Sequence, residues 1–169
     1  QVGAVGFDEV PCPSGVYCTL GVSTSVTDDN DRFAPRTCLP SFDCPEGTVW
    51  PQGVGSCPTG FYCPANEDAR ICPPGTQCPN TGNFIYSPCP AGTYSAKNGT
   101  DTCTPCEPGQ ICPICEDSSS PGCGEYGRLA PTVCPAGSIC TASRLAQPDQ
   151  QCTAGHFCLE GTITDDIDA

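Results

Sequence analysis

A small disulfide-rich fold, built as a quasi-linear array of short disulfide loops with little or no helix, is predicted by three features of this sequence. Cysteine accounts for 18 of 169 residues, about 11%, above the ~8–10% that marks a disulfide scaffold. Leu, Ile, Val and Phe together contribute about 16%, below the ~20% that accompanies a packed apolar core. The cysteines recur at a fixed spacing, C-x5-C, along nearly the whole chain.

Gly 19 and Pro 20 punctuate the sequence too often for long helices or strands. Uncross-linked, such a composition leans towards disorder, so cross-links must supply what the core does not. The even cysteine count and the absence of an apolar run of ~18 residues point to an oxidising, extracellular or cell-surface location without membrane insertion. No basic, apolar leader precedes Gln1, which implies a removed signal peptide or a segment of a longer chain. The formal charge of -13 repels phosphate backbones and anionic lipid, which argues against nucleic-acid and membrane-surface partners.

Aligning the cysteines divides the chain into a cysteine-free segment 1–11, a cysteine-rich array 12–158 and an acidic tail 159–169. The spacing C-x5-C occurs at Cys12/Cys18, Cys38/Cys44, Cys57/Cys63, Cys72/Cys78, Cys106/Cys112, Cys134/Cys140 and Cys152/Cys158. Six of these seven carry glycine at their fourth position, as in "CPTGFYC" and "CPPGTQC"; "CLPSFDC" departs. Two longer variants, Cys89/Cys103 and Cys115/Cys123, take the remaining cysteines, so that nine units are expected. Short, irregular repetition predicts an elongated array whose units touch mainly their neighbours. The longest cysteine-free interval, residues 19–37, contains "VSTSV", which alternates like a short strand.

Cysteines six apart are too distant to bond in a helix or a strand, so C-x5-C closes only around a chain reversal. Proline presets φ for the first corner and glycine accepts φ > 0, so Pro-x-Gly provides that reversal. Closing a seven-residue loop contributes about 2.4 kcal/mol in the chain-entropy model. Pairing every cysteine with its next neighbour uses all eighteen; a crossed pattern linking adjacent motifs is the rival, since spacing alone does not fix connectivity.

Other chemistry fits less well. Cys103, Cys106, Cys112 and Cys115 form C-x2-C-x5-C-x2-C, but the central gap is far shorter than the ~15–20 residues of a zinc ribbon. No C-x-x-C sits in the βαβ context of a redox centre. His156, the single histidine, lies inside "CTAGHFC" and reads as a solvated loop residue. The acidic clusters Asp28, Asp29, Asp31 and Asp165, Asp166, Asp168 lack the alternation and glycine of an EF-hand loop and read as solvated. No catalytic, cofactor or metal residues are therefore expected. Asn98-Gly99-Thr100 is an N-glycosylation sequon in the widest loop. Tyr17, Phe61, Tyr62, Tyr94 and Phe157 recur inside the motifs, where they are expected to pack on neighbouring disulfides or prolines.

The run 57–113, and above all Cys89, Pro90, Gly92, Thr93, Tyr94 and Ser95 followed by Cys103 and Cys106, resembles the ephrin-receptor-like, growth-factor-receptor-type cysteine-rich repeats of extracellular proteins, distantly similar to TNF-receptor repeats. The resemblance implies an extended, mostly irregular rod with short two-stranded ribbons, used for spacing, adhesion or recognition, and no enzymatic activity. Residues 19–37 and "CEDSSSPGC" depart from the pattern. Two functions follow as expectations. The first is a structural rod that self-associates into a fibre, coat or appendage, with the alternating "TITDDID" of the tail adding to a neighbour's exposed ribbon. The second is a recognition or adhesion module that binds an extracellular protein or glycan.

Overall fold

A computed structural model of the chain describes residues 11–19, 35–65 and 67–164. "VSTSV" and both acidic clusters lie outside them. Among the described residues there is no helix, and all regular structure consists of seven two-stranded antiparallel ribbons. The eighteen cysteines form nine disulfides, each joining a cysteine to its next neighbour in sequence. Cys103, Cys106, Cys112 and Cys115 are thereby distributed over three bridges.

Among the described residues, every buried apolar side chain except Ile139 is a cysteine. The core is thus a file of cystines, which explains how a chain so poor in aliphatic side chains holds a fold. The loops reverse as the sequence requires, with a correction in the placement of proline. In "CPTGFYC" the Phe61 N–H donates to Pro58 O (3.2 Å), so proline occupies the first turn position and Gly60 the third. Proline takes the φ-restricted second position at Pro74 and Pro108, in the turns closed by Thr76 N–H to Pro73 O and Gln110 N–H to Glu107 O, and at Pro40, which precedes Ser41 in "CLPSFDC". A turn of this kind requires φ > 0 at its third position. Ser41 fills that position in "CLPSFDC" and adopts φ 76, so the deviant motif keeps the shared geometry.

The two residues after each turn glycine pair with the two residues before the first cysteine of a following loop. The strands are β1 (Val16–Tyr17) with β2 (Arg36–Thr37), β3 (Phe42–Asp43) with β4 (Gly55–Ser56), and β5 (Phe61–Tyr62) with β6 (Arg70–Ile71). The pattern continues through β7 (Thr76–Gln77) with β8 (Ser87–Pro88) and β9 (Thr93–Tyr94) with β10 (Thr104–Pro105). It ends with β11 (Gln110–Ile111) on β12 (Thr132–Val133) and β13 (Ser138–Ile139) on β14 (Gln150–Gln151). Eight loops are therefore linked by seven identical steps.

The ninth loop corrects the expectation of nine equivalent units. Cys115 and Cys123 form their bridge, with Cα atoms 5.8 Å apart, but loop 115–123 stands outside the series, inserted between loops 106–112 and 134–140. Both of its cysteines are half-buried and lie outside the buried file. The Cys123 N–H donates to Ser120 O (3.0 Å) within its own loop, where the first cysteine of a receiving loop would bond a turn glycine. Its only β contact is an isolated antiparallel bridge to Arg128. The physical reason is the longer "EDSSSPG" between the two cysteines, which puts Gly122 next to Cys123. From there the Gly122 carbonyl accepts from Leu129 N–H (2.8 Å) and Ala130 N–H (3.1 Å), and it is not free to join a following cystine.

Each step carries the same pair of backbone hydrogen bonds around the turn glycine. Its carbonyl accepts from the first cysteine of the following loop, as in Cys72 N–H to Gly60 O (3.0 Å) and Cys106 N–H to Gly92 O (3.0 Å). Its N–H donates to the last residue of that loop, as in Gly60 to Cys78 O (3.0 Å) and Gly92 to Cys112 O (2.8 Å). In the widened loop 89–103 that last place is held by Ser95, which is buried and accepts from Gly75 N–H at 2.7 Å. The bridge there is displaced to Cys103, but the rung is retained.

A second turn follows most loops and extends the contact one loop further. At six of the seven steps its residues Thr48, Asn83, Thr100, Arg128, Leu145 and Thr162 accept from the N–H of Cys18, Cys63, Cys78, Ser95, Cys112 and Cys140 respectively. At five of the six, all but Thr48, the residue before it lies against the turn residue two loops earlier. A Cβ built on Gly60 would sit 2.5 Å from Gly99 O, and one on Gly109 would sit 2.8 Å from Gly161 O. Ser41 faces Gly82, and Arg144, at φ 64, faces Gly92, so one partner of every such contact is glycine. The ordered array runs past Cys158, because Gly161 N–H reaches Cys134 O and Thr162 O accepts from Cys140.

Tyr17, Phe61, Tyr62 and Tyr94 are half-buried, whereas Phe157 is 80% exposed because the dipeptide His156–Phe157 has no strand partner among the described residues. Gly75→Ala, which combines a left-handed alanine with a clash against Gly127, is expected to destabilise the array by about 2–4 kcal/mol. Gly137→Ala meets nothing within 4 Å and should cost only the conformational term of about 1–2 kcal/mol. Chemical denaturation of the two variants with all disulfides intact checks that difference.

Candidate functional site

Three surface features stand out from this regular framework: a tyrosine row beside a groove, the sequon turn, and the unpaired edge of loop 152–158. The tyrosine row runs across successive steps. Tyr62 and Tyr86 meet edge to face at 5.2 Å between ring centroids, and Tyr86 meets Tyr126 in the same way at 5.7 Å. The ring quadrupoles favour this geometry. Arg70 hydrogen-bonds Tyr62 and pairs with Glu67 (Nη2 to Oε2, 2.6 Å), both of which hold its pKa above the ordinary guanidinium value. Glu125 beside Tyr126 raises the pKa of that phenol. Neither Tyr86 nor Tyr126 is marked in the sequence, because both lie between cysteine motifs.

Tyr126 also borders an open groove of about 380 Å³ lined in part by Pro88, Ile114, Glu116 and Asp117. One wall is built by the inserted loop 115–123, and Arg128 fixes that loop in place. The Arg128 side chain is buried, and Nε donates to Pro113 O (2.7 Å) while Nη1 donates to Ala130 O (3.0 Å) and Thr132 Oγ1 (3.1 Å). Its Nη2 donates to Cys123 Sγ (3.6 Å), so the guanidinium reaches the bridge of the insertion itself. Desolvation lowers the Arg128 pKa from the ordinary value. The Arg128 carbonyl meanwhile accepts from Ser95 N–H at 2.9 Å, so one residue ties the insertion to the main ladder. A buried arginine bonded to carbonyls leaves no cysteine-like signature in sequence, which is why it escaped the motif reading.

Within the insertion, Asp117 Oδ1 accepts from Ser119 N–H (2.8 Å), Ser119 Oγ–H (2.6 Å) and Ser120 N–H (3.1 Å). These bonds, those from Ser119 first, hold its pKa below the ordinary carboxylate value. The lining sets the apolar Pro88 and Ile114 beside the carboxylates of Glu116, Asp117 and Glu125.

The sequon is a second turn of the repeat. Asn98 is exposed, Gly99 has φ 71, Gly99 N–H donates to Cys72 O (2.8 Å), and Thr100 Oγ1 bonds Lys97 O (3.2 Å) and Ser95 Oγ (2.5 Å). Asn98-Gly99-Thr100 thus occupies the places of Glu46-Gly47-Thr48 and Glu160-Gly161-Thr162, and its glycine and threonine are accounted for by the ladder. The exposed Asn98 amide leaves room for a glycan. His156 is exposed and uses its backbone N–H to close its turn onto Thr153 O at 3.0 Å. No protein-family model and no curated protein matches the chain.

Two outcomes test these assignments. Replacing Arg128 by Met strands several buried carbonyls and should cost about 2–4 kcal/mol, read as earlier melting with proteolytic cleavage opening in 115–123. Because the pKa of Asp117 is depressed in the folded state, its contribution is present above the unfolded value of 3.8. It is lost as pH falls through the lower folded value. The Ser119 amide should therefore lose protection, relative to its intrinsic exchange rate at each pH, on acidification below that range, and Asp117→Asn should remove most of that pH dependence.

Proposed function

We propose that this protein is a non-enzymatic extracellular structural element, a disulfide-stapled rod that self-associates into a fibre, coat or cell-surface appendage. The observation that carries the reading is the seven-fold recurrence of one backbone step. Each step uses glycine, cystine and main-chain hydrogen bonds, and its stability is set locally by nearest and next-nearest loops. Such an array resists proteolysis and extension without a large core. The cysteine content fits an oxidising, extracellular compartment, and the resemblance to growth-factor-receptor-type repeats points to spacing and adhesion outside the cell. Asn98 is the residue on which we place a glycan.

A second reading, a recognition module for an extracellular protein or glycan, is favoured by the row Tyr62, Tyr86 and Tyr126 and by exposed Ile114 at the groove. Aromatic rings in a row offer stacking faces at low entropic cost. The readings separate by the size of the native secreted material. The structural reading expects long regular particles in light scattering and electron microscopy of one sample. A monodisperse monomer whose ligand binding is lost on Tyr126→Ala would support the module instead.

A further inference from the structure

The repeat rule defines what each loop must meet, and the two ends of the ordered array leave that requirement unmet in complementary ways. At loop 152–158 the turn closes normally, with Gly155 at φ 89. Yet the Gly155 N–H and carbonyl, which at seven earlier loops bond a following loop, have no partner among the described residues. His156–Phe157 is the post-glycine dipeptide left unpaired, and Phe157 is 80% exposed. A Cβ on Gly137 or Gly155 would meet nothing within 4 Å.

At the other end, Gly47 lies in the second turn of the first step and is equally open. Its equivalents Gly99, Arg144 and Gly161 each contact a turn glycine two loops earlier. The sequence before Cys12 has the form that feeds a step: Val10-Pro11-Cys12 repeats Ser87-Pro88-Cys89 and Thr104-Pro105-Cys106, whose X-Pro pairs are β8 and β10. After Cys18, Gly21 falls at the spacing of Cys44 to Gly47 and Cys158 to Gly161.

We propose that loop 12–18 of a second copy docks on loop 152–158 as one more step of the same ladder. This inference rests on the reading of the chain as a self-associating rod and names its junction. Cys12 N–H of the incoming copy donates to Gly155 O, and Gly155 N–H donates to its Cys18 carbonyl. His156 pairs with Pro11, in the register of Thr76 with Pro88. Gly155 then lies against Gly47, restoring the glycine contact two loops on. The contact is head to tail and joins unlike surfaces, so it propagates into a linear filament. With a charge of -13 per copy, added salt should promote it by screening.

The test uses the full chain and two substitutions that keep the left-handed turns accessible, since asparagine tolerates that conformation. Gly155→Asn places a side chain where Gly47 of the next copy must approach, and Gly47→Asn blocks the opposite end. Peptide mapping that finds the nine neighbour-to-neighbour bridges establishes that each variant has folded. Wild type is expected to form linear oligomers, and each variant alone is expected to stay monomeric. An equimolar mixture should give dimers and nothing longer, because each variant retains one competent end. Wild-type assembly that persists in both variants would overturn this junction while leaving the fibre reading standing. A wild type that remains monomeric at raised salt would overturn both.

Discussion

The structure depends on the rung between a turn glycine and the cystine of the following loop. Closing C-x5-C brings the two cysteine Cα atoms to 5.8–6.5 Å. The N–H of the first cysteine and the carbonyl of the second are then presented side by side. A single glycine satisfies both with its own carbonyl and N–H, as in a hydrogen-bonded antiparallel pair. The disulfide thus acts beyond loop closure, because it sets the spacing of the donor and acceptor that receive the preceding loop. Neither element suffices alone: a two-residue ribbon is far too short to be stable in water, and an isolated cystine loop buries almost nothing.

Absence of a side chain is as important to this arrangement as the cross-links. Successive loops approach until the turn glycine of one touches the second turn of the loop two places on. The exceptions obey the same steric limit, since Ser41 is accommodated by Gly82 and Arg144 by Gly92. Insertions are tolerated where the rung is preserved. Loop 89–103 moves its second cysteine away and keeps Ser95 in the rung, and loop 115–123 is accommodated because Arg128 holds Cys123 and returns the chain to Ser95.

Much of this was legible in the sequence. The spacing and the even count pointed to loops closed between neighbouring cysteines, with a crossed pattern as the rival, and the shortage of aliphatic residues pointed to cross-links in place of a packed core. Counting Cys115 and Cys123 as one more unit went too far, because a cysteine pair marks a bridge without marking whether its loop carries a rung. The ribbons came from the resemblance, because strands of two residues leave no periodicity to read. The ladder was hidden for a related reason: its bonds are main-chain groups, and their partners lie one or two loops away in positions that composition does not mark. The Gly-Thr of the second turn was visible only as a sequon at Asn98, and Phe157 looked like its packed counterparts because a motif does not reveal whether a neighbouring strand is present. Arg128 and the pair Tyr86 and Tyr126 fell outside the cysteine motifs and needed three dimensions to be found.

The central claim, that the loops are held by glycine–cystine rungs as well as by their disulfides, is tested most directly by amide hydrogen exchange on the fully oxidised chain. The account predicts strong, matched protection at the first cysteine of each receiving loop, Cys38, Cys57, Cys72, Cys89, Cys106, Cys134 and Cys152. It predicts the same at the turn residues Gly15, Ser41, Gly60, Gly75, Gly92, Gly109 and Gly137 that bond them, while the Gly155 amide exchanges freely in the monomer. Exchange of these cysteine and glycine amides at the rate of an open chain, with all nine bridges intact, would contradict it and reduce the molecule to independent loops on a string.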